Sequence, residues 1–202
     1  MKRKLCTHCK RPIKVCFCHC LTHINNIWPV WILQHHAEKK HAIGTAQIAN
    51  LSLNNILMVT DQDARQNKVF QTGIQSSAPI LVYPGENSIT LDELKTEEPR
   101  PLLFLDGSWR KTHKMFYDFP ELATLPRVAI KPDSKSRYRI RKEPNESAIS
   151  TLEAIIYVLS KLENNEEKFA PLLKTMDWMI NKQIEHMGKT VYEKNYPGAC
   201  RT

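Results

Sequence analysis

Five short apolar runs punctuate the chain: Val30-Trp31-Ile32-Leu33, Ile56-Leu57-Met58-Val59, Ile80-Leu81-Val82-Tyr83, Leu102-Leu103-Phe104-Leu105 and Val128-Ala129-Ile130. Runs this short, rich in β-branched and aromatic residues and bounded by turn formers, predict buried strands. Roughly twenty residues separate each run from the next, room for a helix and two loops. Alternation of that kind predicts an α/β domain, a mostly parallel sheet with flanking helices.

Two later segments carry helical signals. Ser150-Thr151-Leu152-Glu153 fits a capping box, in which the Ser150 hydroxyl and the Glu153 carboxylate satisfy backbone donors at a helix start. That helix is expected to reach about Leu162. From Phe169, the positions Leu172, Leu173, Met176, Met179, Ile180, Ile184 and Met187 recur at helical spacing and form a core-facing stripe. Residues 164–168 read as a polar linker and residues 145–147 as a loop.

With 42% hydrophobic and 25% charged residues over 202 positions, the composition is that of a globular protein with one sizeable core. No apolar run approaches the ~20 residues of a membrane-spanning helix. The start Met-Lys-Arg-Lys-Leu-Cys lacks the apolar stretch of a secretory signal, so a cytoplasmic protein with no membrane partner is expected. The formal net charge of +8 is concentrated. Residues 1–20 hold six Lys or Arg and no acid, and residues 131–143 hold six against two. Dense basic blocks point to a polyanion such as nucleic acid, whose counterions they release.

Five of the six cysteines lie between Cys6 and Cys20, a clustering that favours metal over a disulfide framework. Cys6, Cys9, Cys16 and Cys18 form C-x2-C-x6-C-x-C, four thiolates from two tight turns, as a tetrahedral structural zinc site requires. Cys20 is the reserve ligand, with His8, His19 and His23 nearby. The expected organisation is a zinc-binding segment over residues 1–25 and a catalytic α/β domain over 26–202.

In a parallel sheet, ligands are sought just past the carboxyl ends of the strands. Those positions are Gln34-His35-His36, Thr60-Asp61, Tyr83-Pro84-Gly85, Asp106-Gly107-Ser108-Trp109 and Lys131-Pro132. Asp106 stands out because it follows four apolar residues and precedes a Gly and a helix-like segment over residues 109–116. Its carboxylate is expected near a helix N-terminus. A cap or turn role would use the same residue types. Arg110, Lys111, His113 and Lys114 fit an RNA contact or a solvated helix face.

At Leu105-Asp106-Gly107-Ser108-Trp109 the chain resembles the DTW-domain family, named for Asp-x-Thr-Trp, with Ser108 where the family usually has Thr. Other blocks agree in order: the cysteine cluster, Gly44-Thr45-Ala46, Tyr83-Pro84-Gly85, the stretch from Arg110 to Met115, Tyr138-Arg139-Ile140-Arg141, and Ser150-Thr151-Leu152-Glu153-Ala154. The resemblance implies transfer of a 3-amino-3-carboxypropyl group from S-adenosylmethionine to N3 of a uridine in tRNA. It also implies a fold related to the SPOUT class, with a C-terminal trefoil knot. By the same resemblance, Asp106 is the candidate catalytic residue, as general base or as a binding group. Gly44, Thr45, Pro84, Gly85, Leu105, Trp109, Ser150 and Thr151 are candidates for holding S-adenosylmethionine. Arg110, Lys111, Lys114, Tyr138, Arg139 and Arg141 are candidates for RNA.

Two other readings fit parts of these features. An S-adenosylmethionine-dependent RNA methyltransferase would use the same pocket with the methyl carbon turned toward RNA. A non-catalytic zinc-containing RNA-binding protein would explain the basic blocks and the cysteines. Both a monomer and a homodimer fit the sequence.

Overall fold

A computed structural model describes residues 4–39, 44–95, 97–131, 136–140 and 149–196. Its strands are β1 (Val30–Gln34), β2 (Ile56–Thr60), β3 (Ile80–Val82), β4 (Leu102–Asp106) and β5 (Arg127–Val128). Its helices are α1 (Ala46–Ser52), α2 (Asp61–Ala64), α3 (Lys68–Ser76), α4 (Leu91–Leu94), α5 (Trp109–Asp118), α6 (Thr151–Leu162), α7 (Glu166–Met187) and α8 (Lys189–Asn195). The strands form one sheet in the order β2-β1-β4-β3-β5, and every pairing is parallel.

The apolar runs are continuous because both faces of the sheet are covered. Val30, Ile32, Ile80, Leu102 and Phe104 pack into one core with α1, α6 and α7. The alternate residues Trp31, Leu33, Leu81, Leu103 and Leu105 pack into a second core with Phe70 and Ile74 of α3 and Met115 of α5. Alternation along each strand therefore assigns side chains to two layers.

Four of the five runs match strands closely, and the edges differ. Asp106 is the last residue of β4, and Tyr83 lies just outside β3. The run at 128–130 is overestimated, since β5 ends at Val128. α6 has the expected capping box: Ser150 Oγ accepts from Glu153 N at 3.3 Å and Glu153 Oε2 accepts from Ser150 N at 2.8 Å. The linker expected at 164–168 is shorter, because α7 starts at Glu166. Asn165 caps it by accepting from Lys168 N at 3.0 Å, and Glu166 and Glu167 favour the positive end of the helix dipole. That first turn is polar, so hydrophobic spacing does not reveal it. The loop expected at 145–147 lies outside the described residues. Among the described residues no helix is long and apolar enough to cross a membrane.

The N-terminal segment packs on α7. Thr175 Oγ1 donates to the Cys20 carbonyl at 2.8 Å, His19 meets the Trp178 ring edge-on at 4.6 Å, and Phe17 is fully buried in the first core.

Candidate functional site

Because all five strands are parallel, their carboxyl ends share one edge of the sheet. The connection after β1 runs outward to β2, whereas the chain leaving β4 crosses to the far side of β3. That reversal is a topological switch point, where open α/β sheets bind ligands. Gln34 and Asp106 stand opposite each other there.

Asp106 is 7% exposed and Gln34 4%. Gln34 Nε2 donates to Asp106 Oδ2 at 2.8 Å, and Thr151 Oγ1 donates to Asp106 Oδ1 at 2.6 Å. The carboxylate thus ties β1, β4 and the first residue of α6 together. The helix it meets is α6, through a side-chain hydroxyl; the N-cap of α5 is Ser108. Ser150, buried at the N-cap of α6, adjoins Thr151 and brings the helix start to the same place.

Beside this carboxylate, His35 N donates to the Asp106 carbonyl at 2.9 Å. His35 stacks on His36 with ring centroids 4.3 Å apart. Asp61 Oδ1 accepts from His36 N at 2.8 Å, and His36 Nδ1 lies 3.0 Å from Asp61 Oδ2. The three side chains could hold a metal by proximity alone. However, His35 Nδ1 accepts from Ala37 N at 3.2 Å, so the neutral ring carries its proton on Nε2, facing Asp61 Oδ2 at 3.9 Å. The arrangement is a hydrogen-bonded brace between β1 and β2. Burial holds the His35 pKa below the ordinary histidine value, partly offset by the Asp61 charge.

The other expected cofactor residues are spread along the same edge. Gly44 accepts from Arg11 Nη2 at 2.8 Å through its carbonyl, and Thr45 is buried at the start of α1. Pro84 and Gly85 are exposed beyond β3. A Cβ at Gly85 would stand 2.6 Å from Arg127 Nη1, so the turn is fitted to that guanidinium. Leu105 is buried, and Trp109 opens α5 with 47% of its surface exposed, 6.2 Å from the Tyr83 ring.

The expected RNA residues divide. Arg110 and Lys114 are exposed on α5, Lys114 pairing with Asp118 at 2.6 Å. Lys111 is engaged inside the fold, 2.6 Å from Glu38. Tyr138 is buried in the first core and does not present its ring at the surface. Arg139 is exposed and donates to Asn181 Oδ1 at 2.7 Å. Arg141 lies outside the described residues.

At the N-terminus, Cys6, Cys9, Cys16 and Cys18 bring their sulfurs within 4.8 Å of one another. Cys6 and Cys18 are 3.7 Å apart, as are Cys9 and Cys16. A tetrahedral ion with metal–sulfur bonds of about 2.3 Å needs sulfurs about 3.8 Å apart, so this donor set fits one. Lys10, with φ of 60°, closes the first turn by donating its N–H to the Cys6 carbonyl at 3.1 Å. Backbone N–H groups of Cys9 and His8 hold the Cys6 thiol down at about 6, which favours a thiolate. Cys20 and the neighbouring histidines are not in this group.

Gln34 and Arg11 were not singled out by residue pattern. Gln34 ends an apolar run, where a polar residue reads as a boundary. Arg11 sits in a basic block, yet it is 6% exposed, lies over the Phe17 ring at 5.1 Å, and its buried Nη1 has no hydrogen-bond partner.

A family model described as DTW domain matches residues 3–184. The chain is 30% identical over 211 residues to tRNA-uridine aminocarboxypropyltransferase 2 of Drosophila melanogaster, covering 97% of this chain and 84% of that protein. It is 26% identical over 200 residues to the protein of the same name from Macaca fascicularis, covering 92% of this chain and 65% of that one. It is 23% identical over 219 residues to tRNA-uridine aminocarboxypropyltransferase A of Arabidopsis thaliana, with 92% and 83% covered. No solved structure matches the chain.

Proposed function

The chain belongs to the DTW domain family, and from that membership we propose that it transfers the 3-amino-3-carboxypropyl group of S-adenosylmethionine to N3 of a uridine in tRNA. The observation that carries this reading is similarity along nearly the whole chain to tRNA-uridine aminocarboxypropyltransferases of an insect, a primate and a plant.

In this reading the uridine N3 proton passes to the Asp106 carboxylate as the N3 lone pair attacks the side-chain carbon next to sulfur. The carbon–sulfur bond breaks, its electrons return to the sulfonium, and neutral 5′-methylthioadenosine leaves. Gln34 and Thr151 are positioning residues: their hydrogen bonds fix the carboxylate at the switch point, where orientation selects one of three carbons on sulfur. Gly44, Thr45, Pro84, Gly85, Leu105, Trp109, Ser150 and Thr151 hold the co-substrate, the start of α6 offering N–H donors to its carboxylate. Arg110, Lys114, Arg139 and Arg141 face RNA phosphate, and Lys111 and Tyr138 act from within the fold.

Cys6, Cys9, Cys16 and Cys18 hold a structural zinc, which supplies a cross-link in place of a larger apolar core. Their reduced state suits a cytoplasmic enzyme. The C-terminal trefoil knot belongs to this proposal as well; the connection from β5 to α6 includes residues 132–135 and 141–148, outside the described residues. The test is nucleoside mass after incubation with unmodified tRNA. A uridine heavier by one aminocarboxypropyl group supports the reading, and a methylated uridine overturns it.

A further inference from the structure

The side of α5 that faces away from the sheet carries aromatic rings where a solvated helix would carry only polar groups. Thr112, Met115 and Phe119 are buried and anchor the helix. On the other side, Trp109 is 47% exposed, Tyr117 is 71% exposed, and His113 between them is exposed. Positions 109, 113 and 117 are four apart and so form one row along the helix.

The row continues through contacts. Tyr83 lies 6.2 Å from Trp109 and stacks on Phe116 at 5.6 Å with planes 7° apart. Phe116 meets Tyr117 at 6.4 Å, and Tyr117 meets His113 edge-on at 4.9 Å. Cations are interspersed. Arg127 sits over Phe116 at 4.8 Å, Lys114 projects from the exposed side, and Arg110 has no ion-pair partner among the described residues.

Flat rings alternating with cations match one class of partner, an unpaired nucleic-acid strand, whose bases stack while its phosphates meet Arg and Lys. The row starts three residues after Asp106 and spans roughly 12 Å at helical rise, about three to four stacked nucleotides. We propose that the exposed side of α5, with His113 and Tyr117 at its centre, is the stacking platform for unpaired nucleotides flanking the target uridine. This rests on the reading of tRNA as substrate, and it adds residues that the family resemblance did not supply.

The experiment compares the full-length, zinc-loaded protein with His113→Ala/Tyr117→Ala and with Arg110→Gln/Lys114→Gln. The readouts are the dissociation constant for unmodified tRNA, that for S-adenosylmethionine, and the thermal midpoint. The aromatic variant should keep its midpoint and its S-adenosylmethionine affinity and lose tRNA affinity by about tenfold or more. The charge variant should show a shallower dependence of tRNA affinity on salt. Unchanged tRNA affinity in the aromatic variant overturns the proposal. So does loss of self-association with tRNA affinity intact, which would make the face an interface between copies. If the wild type binds tRNA through these rings yet transfers no aminocarboxypropyl group, the platform stands and the proposed reaction falls.

Discussion

Thr151 donates a 2.6 Å hydrogen bond to the Asp106 carboxylate across 45 residues of chain, joining the end of β4 to the start of α6. Hydrogen bonds to charged groups contribute about 1.5–3 kcal/mol. This one also sets the direction in which the carboxylate faces. Thr151→Val keeps the shape and removes the donor. It should lower kcat tenfold or more, with a smaller change in KM for tRNA. Thr151→Ser should restore most of the activity. Asp106→Ala should reduce turnover by at least a hundredfold, within the usual range for a general base, and its two orphaned donors should lower stability by roughly 1–3 kcal/mol. Steady-state kinetics and denaturant melts of the three variants check both effects.

That bond also marks where sequence reading stops. β1, β2, β3 and β4 were legible because strands covered on both faces become unbroken apolar runs. α6 was legible because its capping box is local. Asp106 was visible as a polar residue ending a hydrophobic run, but its partners were not. Gln34 reaches it from a neighbouring strand and Thr151 from a helix far along the chain. Neither spacing carries a period. Arg11 was hidden for the opposite reason: it lies in a run of basic residues that looks solvated, while the fold buries it against Phe17 and Gly44. Lys111 likewise looked like a surface cation until Glu38 was brought to it.

The four thiols should hold one zinc per chain. Purified protein should release it to a strong chelator with a fall in thermal midpoint, and Cys9→Ser should purify with less metal and melt lower. Acid should release the metal too, since protons compete for the thiolates. Metal analysis alongside thermal melts reads all three outcomes, and full stability without bound metal would contradict the assignment.

Gly73 lies in α3 directly against the Trp31 ring, and an added Cβ would collide with it. Trp31 is itself packed on Phe70 at 5.7 Å, leaving the ring little room to yield. Gly73→Ala should destabilise the fold by about 1–3 kcal/mol despite its better helix propensity. Urea titration measures this, and an unchanged midpoint would show that the second core repacks freely.

His35 supplies a pH dependence of known sign. Burial lowers its folded-state pKa below the unfolded 6.5, with Asp61 and Glu38 raising it and His36 and Lys111 lowering it. Below about pH 6.5 the unfolded chain therefore binds more protons, so stability falls as pH drops through the interval to the folded pKa and is fully present above it. Replacing His35 with Asn should flatten that part of the profile. Urea midpoints between pH 5 and 8 provide the comparison.

The account turns on which carbon of S-adenosylmethionine reaches the RNA. Purified protein is incubated with unmodified tRNA and co-substrate labelled either in the methyl group or in the carboxyl group, and the digested RNA is counted and weighed. Carboxyl label in a uridine heavier by an aminocarboxypropyl group, absent with Asp106→Ala, is the predicted result. Methyl label alone, or no label from folded and metal-loaded protein across several tRNAs, would contradict it.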